Sequence, residues 1–294
     1  MQEKTSQRLA VACSAGGFKS VFVHGVLSAL ETGGVWAEAY AAASSSVFPA
    51  AAATIRQADS IGLRYWRSSL ATLHQPGKGM SEVVLNSIAE SRSQLHNALF
   101  QPGTARLLIA TSLVTTPEGA ALTQGSGATR LGRRLLLQAA RGDASWAREN
   151  LAPYLFDTQA PDAEHRLTSE NIEEVIYAST RMLHAWLKPA EIAGRPFVDA
   201  SYTVACPALE LAERGYSEII AIANEPGTLY RDIFQSQPIP ESWHDAHISI
   251  IRPDIDPAQL GADFTTMSEA GMVAAYQHGL QKGRAFLEKC NASS

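Results

Sequence analysis

A short apolar segment that ends in three serines is the feature that most restricts how this chain can fold. Residues Tyr40–Ala43 are apolar and small, Ser44–Ser46 follow, and an apolar, alanine-rich run begins at Val47. This order is typical of a buried strand, a sharp turn that carries hydroxyl groups, and the start of a helix. Such a unit belongs in a sheet that is covered by helices.

The serine turn has two interpretations that the segment alone leaves open. In enzymes with a serine nucleophile, the serine sits on a strained strand-to-helix turn within the pattern G-x-S-x-G. The five residues around Ser44 are Ala42–Ser46, so both glycines of that pattern are replaced. Serine is also a favoured helix N-cap, and three serines before a helix need no further role.

A glycine-containing loop follows the first apolar run of the chain. Leu9–Cys13 predicts a buried strand, Ser14–Gly17 a tight loop, and the apolar spacing over residues 21–30 a helix. Backbone N–H groups at such a helix start suit a phosphate or the oxyanion of a tetrahedral intermediate. For an isolated Gly-Gly, a tight turn without a ligand is the commoner arrangement, and the dinucleotide-binding fingerprint fits poorly because its third glycine is missing.

An acidic residue follows a short strand late in the chain. Ala193–Pro196 predicts a turn and Phe197-Val198 a strand, with Asp199 at its end. An acid that leaves a buried strand is a candidate base, and the commoner role for such an aspartate is to cap a turn or helix.

Strand and helix patterns alternate along most of the chain. We therefore predict an α/β fold, a single domain over residues 1–294 with a mostly parallel central sheet and helices on both faces. Two helical segments, 57–104 and 130–165, are expected to shape a substrate pocket or lid. Ala120–Thr123 is expected to form a short hairpin with a strand at Arg106–Thr111, and residues 145–155 a helix. The remaining strands are predicted at 37–43, 218–223 and 247–251, and the remaining helices at 48–56, 168–179, 207–214 and 268–289.

Composition excludes several classes of function. The net charge of −5 argues against nucleic acid as a main partner. No apolar run is long enough to span a membrane, and no secretory leader is expected at the N-terminus. The three cysteines are scattered and lack metal-site spacing, so they predict free thiols in a reducing, cytoplasmic setting with no metal or cofactor. A peripheral contact with a membrane surface remains compatible with this composition, and the oligomeric state is not predicted.

Several separated motifs together resemble the patatin-like phospholipase family. Their order and spacing are similar over nearly the whole chain, although each motif alone is weak. The motifs are Ala15–Ser20 with Gly25-Val26-Leu27, Ala42–Ser46, Ala178–Thr180, and Asp199–Ser201 with Pro207.

The resemblance implies a patatin-like three-layer fold and a serine acyl hydrolase that acts on lipid or other acyl esters. It implies a serine–aspartate pair that needs no histidine. The implied roles are Ser44 as nucleophile, Asp199 as general base, Gly16, Gly17 and Phe18 as the oxyanion hole, and Lys19 as a head-group contact.

The sequence also departs from that family. Six positions where the family has glycine hold alanine or serine, namely Ala15, Ser20, Ala42, Ser46, Ala200 and Ser201. Added Cβ atoms at a strained turn could narrow the oxyanion site. A catalytically impaired protein that binds a lipid or a partner, and an acyltransferase that uses the same pair, therefore remain alternatives. Ser45 and Ser46 remain rival nucleophiles.

Overall fold

The computed structural model describes residues 8–293. Within them, nine strands and ten α-helices occur. The strands are β1 (Leu9–Cys13), β2 (Ala39–Ala43), β3 (Arg106–Val114), β4 (Leu151–Asp157), β5 (Glu191–Ile192), β6 (Arg195–Val198), β7 (Glu218–Ile222), β8 (Ser242–Trp243) and β9 (Ala246–Ile251). The helices are α1 (Val21–Thr32), α2 (Val47–Thr54), α3 (Ala58–Leu73), α4 (Met80–Leu99), α5 (Pro117–Gln124), α6 (Ala128–Ala139), α7 (Ser145–Asn150), α8 (Ile172–Thr180), α9 (Ala208–Ala212) and α10 (Glu269–Ser293).

The strands form one mixed, mostly parallel sheet, as predicted. Its order is β5-β6-β3-β2-β1-β7-β9-β8, and β4 also pairs with β3. Strands β3, β2, β1, β7 and β9 run parallel, and the shorter strands at the margins, together with β4, pair antiparallel.

Helices cover both faces of this sheet. Alternate side chains of a strand point to opposite faces, and the core is divided accordingly. Val11 and Tyr40 pack into one apolar cluster with residues of α1, α2 and α10. Ala10, Ala12 and Ala39 pack into a second cluster with residues of α9. The prediction of an α/β fold with helices on both faces is therefore confirmed.

Two segments differ from the expectation. Ala120–Thr123 lies inside α5 and does not form a hairpin. The reason is a helix cap at Thr116. Thr116 Oγ1 accepts a hydrogen bond from Gly119 N at 3.0 Å, and Pro117 occupies the first helical position.

The second correction concerns residues 145–155, and with it the helical segment 130–165. The first part of the segment 130–165 is helical in α6, but between 145 and 155 the helix covers only Ser145–Asn150 and the chain then forms β4, which pairs antiparallel with β3. Tyr154 and Phe156 lie in this strand, where aromatic residues are favoured. Both are buried and their rings lie 5.0 Å apart.

Strand β3 brings together two chain segments that are far apart in sequence. β2 runs parallel to β3, with Ala43 opposite Ala110. β6 runs antiparallel to β3, with Val198 opposite Ser112. Strands β2 and β6 therefore lie on opposite edges of β3, run in opposite directions and end at the same level of β3. The residues that follow them, 44 and 199, lie at this level.

Candidate active site

Ser44 occupies a strained position directly after β2. Its φ of +55° is in the left-handed region, which residues with a Cβ rarely adopt. The Ser44 amide donates to Ser179 Oγ of α8 at 3.0 Å, and this bond helps to fix the turn. The side chain is only 1% exposed. A strained serine between a strand and a helix is the geometry of a nucleophile turn.

Asp199 lies next to this serine. Ser44 Oγ donates to Asp199 Oδ2 at 2.8 Å. The other carboxylate oxygen, Oδ1, accepts from Ser201 N at 2.8 Å and from Ser201 Oγ at 2.6 Å. The structure thus brings together two residues that the sequence separates by 155 positions.

The environment of Asp199 makes it a stronger base than an ordinary aspartate. The carboxyl group is fully buried, and this burial raises the pKa of Asp199 to about 6. The hydrogen bonds from Ser201 and Ser44 act in the opposite direction and lower this pKa. Burial disfavours the charged form, whereas donors to the carboxylate favour it. A carboxylate with a pKa near 6 is mostly ionised at pH 7 and can accept the proton of Ser44.

Only the first of the three serines contacts a carboxylate. Ser45 Oγ donates to Gly17 O at 2.8 Å, and Ser46 Oγ donates to Ser14 O at 2.6 Å. Within the described residues, no histidine hydrogen-bonds to Ser44 or Asp199. The geometry therefore favours Ser44 over its neighbours as a nucleophile.

The serines that replace glycines link the two turns of the site. Ser46 Oγ donates to Ser20 Oγ at 2.8 Å, and the hydroxyls of Ser20 and Ser45 lie 2.9 Å apart. Asn224 Nδ2 joins them by donating to Ser14 O at 2.6 Å and to Ser20 Oγ at 3.2 Å.

The backbone at these serines needs no glycine. The φ values of Ser20 and Ser46 are −66° and −69°, in the ordinary right-handed region. The added side chains are therefore accommodated without strain. They connect the glycine loop to the serine turn by hydrogen bonds.

The glycine loop approaches another part of the backbone closely. Gly17 has a φ of +58°, and a Cβ at this position would lie 2.0 Å from the carbonyl oxygen of Phe264. Only glycine tolerates both conditions. The same carbonyl oxygen accepts a hydrogen bond from Phe18 N at 3.2 Å. Within the described residues, the amides of Gly16 and Gly17 donate no hydrogen bond.

This contact bears on the predicted oxyanion hole. The Phe18 amide is occupied by Phe264 and does not face an open site, so its predicted role would require that contact to open. The amides of Gly16 and Gly17 remain as donors for that role.

Phe264 belongs to a small turn that covers the loop. Ala262 and Met267 form an antiparallel bridge, and Asp263 N donates to Thr266 O at 2.8 Å. The Phe264 ring stacks on His184, with their ring centroids 5.7 Å apart. We call residues 262–267 the covering turn.

Lys19 is held by two carboxylates. Its Nζ lies 2.6 Å from Glu225 Oε1 and 3.1 Å from Asp256 Oδ1. Burial lowers the pKa of Lys19, but the bonds and charges of Glu225 and Asp256 outweigh burial and raise it. A head-group contact, as predicted, would require these ion pairs to open.

A cavity of about 530 Å³ adjoins the site. Gly16 and Ser201 form part of its wall on the side of the Ser44–Asp199 pair, and Phe264 forms another part. Ser44 and Asp199 themselves do not line it. Apolar side chains contribute much of the remaining wall, among them Leu136, Met182, Leu229 and Ile233.

Residues 8–293 contain no cluster of histidine, cysteine and acidic side chains able to hold a metal ion. No helix in this range is both long and apolar enough to cross a membrane.

Comparison with known proteins identifies similar folds. The chain is similar to human GIVD cytosolic phospholipase A2, with a TM-score of 0.49 and 10% identity over 98% of this chain and 63% of that chain. It is also similar to VipD from Legionella pneumophila, with a TM-score of 0.46 and 10% identity over 96% of this chain and 67% of that chain. The chain thus spans less than two thirds of the length of the phospholipase. No protein-family model matches the chain, and no curated protein matches it in sequence.

Sequence reasoning missed three contributors to the site. Ser201 was noted only as a replaced glycine, although it donates twice to Asp199. Ser179 belonged to a motif without an assigned role, and it accepts from Ser44 N. No sequence signal pointed to Phe264.

Proposed function

We propose that this protein is a serine acyl hydrolase of the patatin-like type that cleaves lipid or other acyl esters. One observation carries the proposal: Ser44, at a φ of +55°, donates to the buried carboxylate of Asp199 at 2.8 Å. A hydroxyl on a strained turn with a base in direct contact is the arrangement that activates a serine. The apolar walls of the adjoining cavity are suited to an acyl chain.

In the proposed reaction, Asp199 takes the proton from Ser44 Oγ as this atom attacks the carbonyl carbon of the ester. The tetrahedral intermediate collapses, the ester C–O bond breaks, and Asp199 returns the proton to the leaving alcohol. A water molecule then gives a proton to Asp199 and attacks the acylated Ser44. The acid is released and Ser44 regains its proton.

The proposed oxyanion donors are the loop amides of Gly16 and Gly17. Neither donates a hydrogen bond within the described residues, and both belong to the loop that Ser45 contacts through Gly17 O. The loss of one oxyanion donor costs about 3–4 kcal/mol in a hydrolase. A contribution from Phe18 would require the covering turn to move.

One observation favours a second candidate, a catalytically impaired protein that binds a lipid or a partner. The Phe18 amide is bonded to Phe264 O, and Ser44 is 1% exposed. If the covering turn never opens, the cavity binds a ligand without converting it. Transfer of the acyl group to an alcohol or thiol would use the same pair, and product analysis with added acceptors separates it from hydrolysis.

A fluorophosphonate probe tests the proposal. We expect covalent labelling of Ser44 in the wild-type protein, no labelling after Ser44→Ala, and strongly reduced labelling after Asp199→Asn. Mass spectrometry of the labelled peptide identifies the serine.

Ser45→Ala is the matched control, because it removes the neighbouring hydroxyl and leaves the Ser44–Asp199 bond in place. Equal labelling of Ser44→Ala and wild type would refute the assigned nucleophile. No adduct on a folded wild-type protein, under conditions that label another serine hydrolase, would favour the impaired protein.

A further inference from the structure

Helix α6 presents a basic face with an exposed leucine among its arginines. Arg130, Arg133, Arg134 and Arg141 are all exposed, and Leu137 is 64% exposed. Residues three, four or seven positions apart share one side of a helix. These spacings place Arg130, Arg133 and Arg134 around Leu137, and Arg141 lies in the turn two residues after the helix ends.

The opposite face of α6 anchors the helix to the protein. Leu131 and Leu135 are buried. A Cβ on Gly132 would lie 2.3 Å from His184 N, so the backbones are in close contact there. The helix is therefore fixed with its arginine-bearing face outward.

The charge on this face is not neutralised within the described residues. None of the four arginines forms an ion pair there, whereas Arg8, Arg67, Arg92 and Arg195 each do. The segment 119–142 contains no aspartate or glutamate, although the whole chain has a net charge of −5. A local excess of positive charge on an acidic protein indicates an anionic partner.

Two further features identify the kind of partner. Leu137 lies in the middle of the basic face. Burial of this apolar side chain is favourable when the partner has an apolar layer beneath its charged surface, as a lipid bilayer does. Leu136 is 37% exposed and, with Ala139 and Ala140, lines the cavity beside Gly16 and Ser201. The helix thus borders the cavity at the candidate site.

We propose that the outer face of α6, defined by Arg130, Arg133, Arg134 and Leu137, binds an anionic lipid surface together with Arg141 in the turn that follows the helix. The arginines contact the head groups, and Leu137 inserts among the acyl chains. Binding by this face is independent of catalysis. That it brings lipid to the cavity rests on the proposed function.

The experiment measures cosedimentation of the full chain with vesicles, using Ser44→Ala protein so that lipid turnover cannot affect the result. Vesicles of equal parts phosphatidylglycerol and phosphatidylcholine are compared with pure phosphatidylcholine. We expect binding to the anionic vesicles only, and weaker binding as salt is added. Replacing Arg133 and Arg134 together by glutamine should weaken partitioning by about 30-fold.

The matched control is Arg64→Gln with Arg284→Gln, which removes the same charge from exposed arginines of other helices and should leave partitioning within about twofold. Leu137→Gln tests insertion and should weaken binding by several-fold at constant charge. Equal binding of both arginine pairs would overturn the proposal. Wild-type binding by Leu137→Gln, together with full competition by a soluble polyanion, would also overturn it and would indicate an acidic macromolecule as the partner.

Failure of vesicle binding would leave Ser44 labelling intact, and failure of labelling would leave vesicle binding intact. The two proposals are therefore separable.

Discussion

At the scale of single residues, Ser201 hydrogen-bonds to the carboxylate of Asp199, the proposed base. It stands where the resembled family has glycine, and it gives Asp199 a hydroxyl donor at 2.6 Å in addition to its backbone amide. Burial raises the pKa of Asp199, and these donors limit that rise. The side chain of Ser201 therefore contributes to the pKa of Asp199.

The pH dependence of the proposed reaction follows from this. Asp199 must be ionised to accept a proton, so activity should fall as the pH drops through about 6. In Ser201→Ala the ionised form loses one donor, and the inflection of kcat/KM should move upward by about one pH unit.

Thr203→Val is the control, because Thr203 Oγ1 lies 2.8 Å from Ser112 Oγ and does not bond to the Asp199 carboxylate. A pH profile recorded for both variants checks the assignment. If Ser201→Ala kept the wild-type inflection, Asp199 would not be the titrating base.

At the scale of elements, the covering turn holds one part of the glycine loop. The Phe264 ring stacks on His184 and lies 6.2 Å from the ring of Trp186, and its carbonyl oxygen holds the Phe18 amide. The ring contacts therefore stabilise the backbone contact.

Phe264→Ala should loosen the covering turn. The lost ring contacts are worth about 1 kcal/mol, so the probe should label Ser44 about fivefold faster than in wild type. Time courses of labelling measure this. Thr266→Ala, in the same turn and without ring contacts, should label at the wild-type rate, and an unchanged rate in Phe264→Ala would mean that the turn does not limit access.

At the scale of the whole molecule, two helices from opposite ends of the chain hold the glycine loop in place. A Cβ on Gly25 of α1 would lie 2.2 Å from Tyr276 O, and one on Gly279 of α10 would lie 2.2 Å from Phe22 O. The backbones of α1 and α10 are therefore in direct contact. Because α1 follows directly after the glycine loop, this contact also supports the site.

Gly279→Ala should force the two helices apart. We expect a loss of about 1–3 kcal/mol in the free energy of unfolding, which is the usual cost of overpacking, measured by urea denaturation. Gln277→Ala, at an exposed position of the same helix, should change the stability by less than about 0.5 kcal/mol. Equal stabilities would show that α10 can move without cost.

The sequence by itself determined the alternation of strands and helices and the glycine loop, because local periodicity and turn chemistry are encoded by neighbouring residues. Its resemblance to a known family selected Ser44 and Asp199 as candidates. The strand β4 and helix α5 escaped prediction, since a short aromatic run and a single Thr-Pro cap are weak local signals.

Only the tertiary structure decided which serine contacts the acid, because that depends on β2 and β6 ending at the same level of β3. It also decided that serines at glycine positions form hydrogen bonds without strain, and that Phe264 covers the loop. These facts rest on contacts between residues far apart in the chain, and no local pattern encodes the distance between them.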